Sequence, residues 1–303
     1  MVDDTHLRSG LEFRRTHSSN NVVSVLAGGS PIYFIKEGPD LERARREIFV
    51  YKGFAEKGFS EIAPLMVLCQ DETNTLVLKA VQGPTLHEKL ISQAGQFENL
   101  CTRGAIPLAK LHALSVDRSQ VGALSREIPW ILSRQEISSR ITPSNEAAAE
   151  VLGFLAENPM LIRAAEGAKE GWNEEGVIHG DVRLSNLVID QNESVKLIDW
   201  ELAGLGPPEY DLGSLMASSI FSAMFFGRTQ LASKRNQDLL DETTASYRSV
   251  HSSRSISQQM LIDNAAVRFT QYLFEFAQQG RIARSAIGTT MTSAFNYILS
   301  MRS

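Results

Sequence analysis

The sequence predicts an α+β chain in two parts, a small five-stranded antiparallel N-terminal part with one helix and a mainly helical remainder. Three observations carry this prediction. Before residue 80, short apolar runs rich in Val, Ile and Leu alternate with turns of Gly, Asn, Asp and Ser, with one helical period among them. Gln82-Gly83-Pro84 then breaks the pattern. Beyond it, apolar residues recur at three- and four-residue spacing almost to the end, interrupted by a single hairpin signal between residues 176 and 213.

Leu11-Glu12-Phe13-Arg14, Val22 to Leu26 and Ile32 to Ile35 read as three consecutive strands, with Gly28-Gly29 as the tight return between the last two. Asp40 is placed to cap a helix to Lys57, whose apolar stripe runs through Leu41, Ala44, Ile48, Tyr51 and Ala55. Leu65 to Cys69 and Thr75 to Leu78 supply two further strands around a polar turn. After Gly83-Pro84, helices are expected over Leu86–Ile91, Gln96–Leu114 and Ser144–Ala168, the last kinked at Pro159. Further helices are expected over Leu212–Phe226, Gln230–Tyr247, Ile256–Gln279 and Ala283–Met301, with a polar loop at Arg248–Ser255. The domain reading is therefore 1–80, a connecting hinge at 81–84, and 85–303 carrying the hairpin.

A chain of 303 residues with net charge −5 has no basic excess to offer nucleic acid or an anionic membrane. The apolar run at Leu212–Phe226 falls short of the roughly 20 residues a membrane span needs, and is expected to be a buried core helix. Cys69 and Cys101 show neither a disulfide framework nor zinc spacing and read as buried thiols. The polar, acidic start does not resemble a signal peptide, so a cytoplasmic location is the expectation.

The chemistry is concentrated in Gly176–Gly213. Leu187-Val188-Ile189 and Val195-Lys196-Leu197-Ile198 flank the polar turn Asp190–Ser194, with Asp181 and Asn186 on the entry side and Asp199 at the exit. Folding back brings two carboxylates and an amide together. Such a set suits a hard divalent cation, with one carboxylate left to orient a nucleophile.

His179-Gly180-Asp181, Asn186 and Asp199-Trp200-Glu201, in this order and spacing, resemble the core of the aminoglycoside phosphotransferase and choline kinase-like family, relatives of the protein kinases. Gly206-Pro207-Pro208-Glu209-Tyr210-Asp211 continues the likeness. The resemblance implies a protein-kinase-like two-lobed fold and ATP- and Mg²⁺-dependent phosphorylation of an alcohol hydroxyl; nothing in the sequence excludes GTP. It implies Asp181 as catalytic base, His179 as a brace of the catalytic loop, Arg183 beside substrate or γ-phosphate, and Asn186 and Asp199 as magnesium ligands. Lys36, paired with Glu47, would fix the phosphates. Ser18, Ser19 and Asn20 stand where a phosphate-covering turn belongs. Ala80 and Val81 fall at the adenine-binding hinge. Asp211 and His112 are read as structural.

The acceptor stays open between a small metabolite, an aminoglycoside antibiotic, and Ser/Thr of a precursor peptide as in lanthipeptide-like pathways, the last bringing a possible pathway partner protein. The C-terminal helices lack the dense acidic runs a polycation would want. A catalytically silent nucleotide-binding scaffold is the non-enzymatic alternative, against which Lys36, Asp181, Asn186 and Asp199 are all intact.

Overall fold

The computed structural model describes residues 11–15, 21–38, 40–55, 58–92, 97–115, 121–122, 124–133, 137, 141–226 and 236–302. Strands β1 (Leu11–Arg15), β2 (Asn21–Ala27), β3 (Ser30–Glu37), β4 (Met66–Gln70) and β5 (Thr75–Lys79) form one antiparallel sheet in the order β1-β2-β3-β5-β4. β3 is therefore the middle strand. Its Lys36 lies opposite Val22 on one side and Leu76 on the other. β4 is an edge strand, and Cys69, expected to be buried, is only partly covered there, whereas Cys101 is fully buried; no disulfide joins the two.

Helix α1 (Leu41–Phe54) starts where expected, with Asp40 Oδ1 accepting the Glu42 and Arg43 N–H groups at 3.0 and 3.2 Å. Its buried face is Arg46, Glu47, Ile48, Val50, Tyr51 and Phe54. The expected stripe is thus wrong at its ends, since Leu41 and Ala55 are exposed. The helix docks by its C-terminal half, where Tyr51 meets the Phe59 ring edge-on at 5.4 Å. That contact turns two polar side chains, Arg46 and Glu47, inward beside the apolar ones.

The chain leaves the sheet at Lys79 and enters helices at α2 (Leu86–Ser92) and α3 (Phe97–His112). The single kinked helix expected over 144–168 is two helices, α4 (Glu146–Glu157) and α5 (Pro159–Glu170). Asn158 ends the first and caps the second, accepting from Met160 and Leu161 N–H, and Pro159 takes the first helical position, where its missing N–H costs nothing. Helix α6 (Pro208–Phe225) begins four residues earlier than the apolar run suggested and is buried from Pro208 to Ala223. An element apolar on every side belongs at the centre. It packs against α3 and α8 (Gln258–Gln278), with α7 (Asn236–Val250) on α3. At the crossing of α6 with α8, a Cβ on Gly213 would lie 2.6 Å from Asn264 Cβ, so glycine sets the closeness of the two helices. Helix α9 (Arg284–Leu299) closes the fold. The expected loop at Arg248–Ser255 gives three residues to α7.

Two small ribbons sit between sheet and helices. β7 (Leu187–Ile189) pairs with β8 (Val195–Leu197) as the predicted hairpin. β6 (Gly176–Ile178) pairs instead with β9 (Gly204–Gly206), a strand whose Gly-Leu-Gly gives no apolar alternation to read. Among the described residues no helix is long and apolar enough to cross a membrane.

Candidate active site

The β7–β8 hairpin aligns the polar residues by backbone pairing. Ile198 N–H donates to the Asn186 carbonyl at 2.9 Å, one step beyond the last ladder pair, Leu187 with Leu197. Asn186 and Asp199 are thereby neighbours across the open end of the ribbon. Asp190 closes the other end, its Oδ1 accepting Asn192 and Ser194 N–H at 2.8 and 2.9 Å. Asp199 itself has φ 70 and ψ 66, a left-handed conformation uncommon for a residue with a side chain. Trp200 pins it. The indole is fully buried between Phe59 and His179, at 4.8 and 4.6 Å between ring centroids, and its Nε1–H donates to the Leu197 carbonyl at 3.0 Å.

The stretch His179–Asp181 is held from beneath by Asp211. Its Oδ2 accepts His179 N–H at 2.7 Å and its Oδ1 accepts Gly180 N–H at 3.0 Å. His112 Nε2 reaches the same Oδ2 at 3.1 Å, while its Nδ1 meets Tyr247 Oη at 3.1 Å. Both expected structural roles are seen, and Asp211 braces the loop rather than capping α6, whose cap is Pro207. His179 Nε2–H donates to the Ile198 carbonyl at 3.0 Å and Nδ1 accepts Asp181 N–H at 3.3 Å, the brace the sequence suggested. Gly180 has φ +81, and a Cβ there would lie 2.2 Å from the Leu202 carbonyl oxygen, so glycine is required between the histidine and the aspartate.

Across the cleft, Lys36 Nζ is 2.7 Å from Glu47 Oε2 and 2.7 Å from Asp199 Oδ1. Burial opposes the lysine charge, but the two carboxylates outweigh it and raise its pKa above the ordinary lysine value. Burial pushes the Glu47 carboxyl up while Lys36 pulls it back. Glu47 Oε1 also accepts Trp200 N–H at 3.3 Å, and Arg46 Nη1 donates to the Glu201 carbonyl at 3.2 Å. Helix α1 thus grips the segment after Asp199 at two points. Glu42, also on α1, is bound instead to Arg46 at 2.7 Å.

Asp181 carries two arginines on one oxygen. Arg183 Nε donates to Oδ1 at 2.8 Å and Arg268 Nη2 to the same atom at 3.1 Å. Among the described residues Oδ2 meets only the Asn186 amide, at 3.3 Å, the same Nδ2 that donates to the Asp181 carbonyl at 3.0 Å. Burial alone would raise the Asp181 pKa, but Arg183 and Arg268 hold it below the usual value, so the carboxylate is ionised near neutrality. Arg183 Nη1 continues to Glu275 Oε2 at 2.7 Å.

These groups line one cleft of about 850 Å³, together with Trp130, Trp172 and Gln271. Asp181, Arg183, Asn186 and Asp199 face it, and Lys36 and Glu47 meet its wall through Asp199. Ala80 and Val81 stand at the start of the connection between sheet and helices, with Ala80 N–H committed to the Ile32 carbonyl at 2.9 Å. Ser18, Ser19 and Asn20 lie outside the described residues. Arg268 was not anticipated. Its signal was present: it falls in phase with Leu261, Ala265 and Tyr272, a lone arginine on an apolar helical stripe.

A profile of the phosphotransferase enzyme family matches residues 15–247. Among curated proteins, acyl-CoA dehydrogenase family member 11 of Homo sapiens is 27% identical over 190 residues, 57% of this chain and 23% of that protein. The Gallus gallus protein of the same name is 29% identical over 213 residues, 65% of this chain and 27% of its own length. The chain thus spans about a quarter of the curated relatives it matches. Among solved structures, choline kinase LicA from Streptococcus pneumoniae superposes with a TM-score of 0.58 at 13% identity, over 96% of this chain and 95% of that one. An aminoglycoside phosphotransferase from Alicyclobacillus acidocaldarius does so with 0.56 at 16%, over 97% and 92%. A ternary complex of aminoglycoside phosphotransferase APH(4)-Ia with ADP and hygromycin B gives 0.57 at 15%, over 96% and 94%. The fold is the two-lobed, protein-kinase-like one, and with the family profile spanning most of its length the chain belongs to the phosphotransferase enzyme family.

Proposed function

We propose that this chain transfers the γ-phosphoryl group of ATP, with Mg²⁺, to an alcohol hydroxyl. The observation that carries this is the convergence of Asp199, Asn186 and Asp181 on one cleft, with the Lys36–Glu47 pair tied to it through Asp199. Asp181 is the base. Its Oδ1 is occupied by two arginines, so Oδ2 receives the acceptor hydroxyl and its proton. Lys36 takes the phosphates, and the Ala80 carbonyl with the Val81 N–H meets the adenine edge. His179, with Asp211, keeps the base in place.

Asn186 spends its Nδ2 on Asp181, and its Oδ1 makes no hydrogen bond among the described residues; the Asp199 carboxylate on the facing strand end is part-exposed. Hard oxygen donors of this kind fit Mg²⁺ rather than zinc. Among the described residues no cluster of three or more His, Cys, Asp or Glu could hold a metal, so a magnesium ion here rests on these two side chains and the nucleotide itself. When bound, it neutralises charge on the transferred phosphoryl group.

The neighbouring structures named as choline, ethanolamine and aminoglycoside kinases favour a small-molecule acceptor over a peptide. The test is phosphate transfer from Mg·ATP, read by mass spectrometry over amino alcohols, sugars, hydroxy acids, aminoglycosides and Ser/Thr peptides. Asp181→Asn should retain nucleotide binding and lower transfer by about 10²–10⁴. A silent scaffold gives no adduct on any acceptor. Equal transfer by Asp181→Asn removes that residue from the base role.

A further inference from the structure

Two tyrosine faces close to Asp181 already hold cations of the protein. Arg268, 1% exposed, has its Cζ 5.2 Å from the Tyr210 ring centre and 4.8 Å from that of Tyr272, and donates to both phenol oxygens at 3.0 Å. Arg183 lies over the same Tyr272 ring at 4.8 Å. A tyrosine pair beside a hydroxyl-activating aspartate would otherwise be a receptacle for an ammonium group. In a 2-amino alcohol the cation is two carbons from the reacting oxygen, roughly 4 Å at ordinary bond lengths. It would fall against two guanidinium groups. Asp181 and Glu275 balance the charge of those two arginines, so what turns a cation away is the covered ring faces and not a net positive charge.

Arg183 adds a positive signal. It uses Nε on Asp181 and Nη1 on Glu275, and its Nη2 makes no hydrogen bond among the described residues, although the side chain is 30% exposed and lines the cleft. A planar donor in this position suits an oxygen anion.

We infer that the acceptor is a hydroxy compound bearing a carboxylate near the reacting hydroxyl, read by Arg183, and that the Arg268–Tyr210–Tyr272 cluster excludes cationic acceptors. The inference rests on the phosphotransferase reading above. In the step, the acceptor oxygen forms a bond to the γ-phosphorus, the bond from that phosphorus to the β–γ bridging oxygen breaks, ADP leaves, and the hydroxyl proton passes to Asp181 Oδ2. Arg183 is a specificity residue for the acceptor; Arg268, buried behind the base, is a positioning residue.

The experiment measures Mg·ATP-dependent phosphorylation of three matched probes, 3-hydroxybutyrate, 1,3-butanediol and choline. Equilibrium binding of each to the protein loaded with Mg·ADP is measured in parallel. The expected result is a preference for 3-hydroxybutyrate over choline of about tenfold or more in kcat/KM or in affinity, the scale of one charge-assisted hydrogen bond. Arg183→Gln should collapse the anion-over-neutral ratio by raising KM for 3-hydroxybutyrate, and Arg183→Lys should restore part of it. Choline used as well as the anion, an anion-over-neutral ratio unchanged in Arg183→Gln, or no anionic preference in either turnover or binding overturns the inference. Failure of the phosphotransferase reading is distinguishable: ATP then neither binds in a magnesium-dependent way nor is consumed with any probe.

Discussion

Asp211 offers the sharpest test of how the catalytic loop is built. Its carboxylate is fully buried and accepts three hydrogen bonds, from His179 N–H, Gly180 N–H and His112 Nε2. The two backbone donors use different oxygens. Asp211→Asn keeps the shape but can present oxygen to only one of them and turns an NH₂ group toward the other. One buried donor is then unsatisfied, costing about 1–3 kcal/mol. Asp211→Ala strands both and leaves His112 without its partner, costing about 3–5 kcal/mol. Against a stability of about 5–15 kcal/mol, the first variant folds and the second is marginal. The loop ahead of Asp181 loses its anchor in both. A 1 Å displacement of a catalytic group costs about 10² in rate, so Asp211→Asn should lose that much kcat while binding nucleotide normally. The assays are denaturant unfolding, nucleotide titration and steady-state turnover. Wild-type stability and wild-type kcat in Asp211→Asn would refute the argument that these hydrogen bonds place the loop.

Gly180→Ala should abolish turnover and destabilise the fold, because the added Cβ meets the Leu202 carbonyl in a left-handed backbone conformation; thermal unfolding and activity of the purified variant check it. Glu47→Gln leaves Lys36 bonded to Asp199 but weakens its charge partner and the Trp200 N–H contact, and should raise KM for ATP about tenfold with less change in kcat. Stability should fall as pH rises above about 10, the phenol value in an unfolded chain. Burial keeps Tyr210 and Tyr247 neutral in the folded state to higher pH, so the unfolded chain loses protons first and gains up to about 1.4 kcal/mol per pH unit from each. Urea midpoints at pH 8 and pH 11 should show the loss, and Tyr247→Phe should flatten the slope. An unchanged slope in that variant removes Tyr247 from the effect.

The sequence alone was informative wherever the physics is local. The apolar runs Val22–Leu26 and Ile32–Ile35, the Gly28-Gly29 return and the Asp40 cap each act within a few residues, and each appears at the expected place. The β7–β8 hairpin is local in the same way. That is why Asn186 and Asp199, thirteen positions apart, could be paired from spacing alone. Lys36 with Glu47 is an intermediate case, implied by the family resemblance, with the helical spacing after Lys36 choosing the glutamate, and the two side chains meet at 2.7 Å.

Tertiary packing decided the rest. Nothing near Gly176-Val177-Ile178 announces that its partner is Gly204-Leu205-Gly206. The buried face of α1 departs from its apolar stripe because it is set by Phe59 and the segment after Asp199, not by the hydrophobicity of the helix itself. Arg268 is the clearest case. It reaches Asp181 from 87 residues away only because α8 crosses α6 where Gly213 permits close approach. Periodicity shows which face of a helix is buried, but the partner of a buried charge depends on how separate elements are packed. The sequence by itself therefore determined the hairpin and the meeting of Asn186 with Asp199 at its open end. The packing of α8 decided what surrounds Asp181, because Arg268 reaches that carboxylate only across two packed helices.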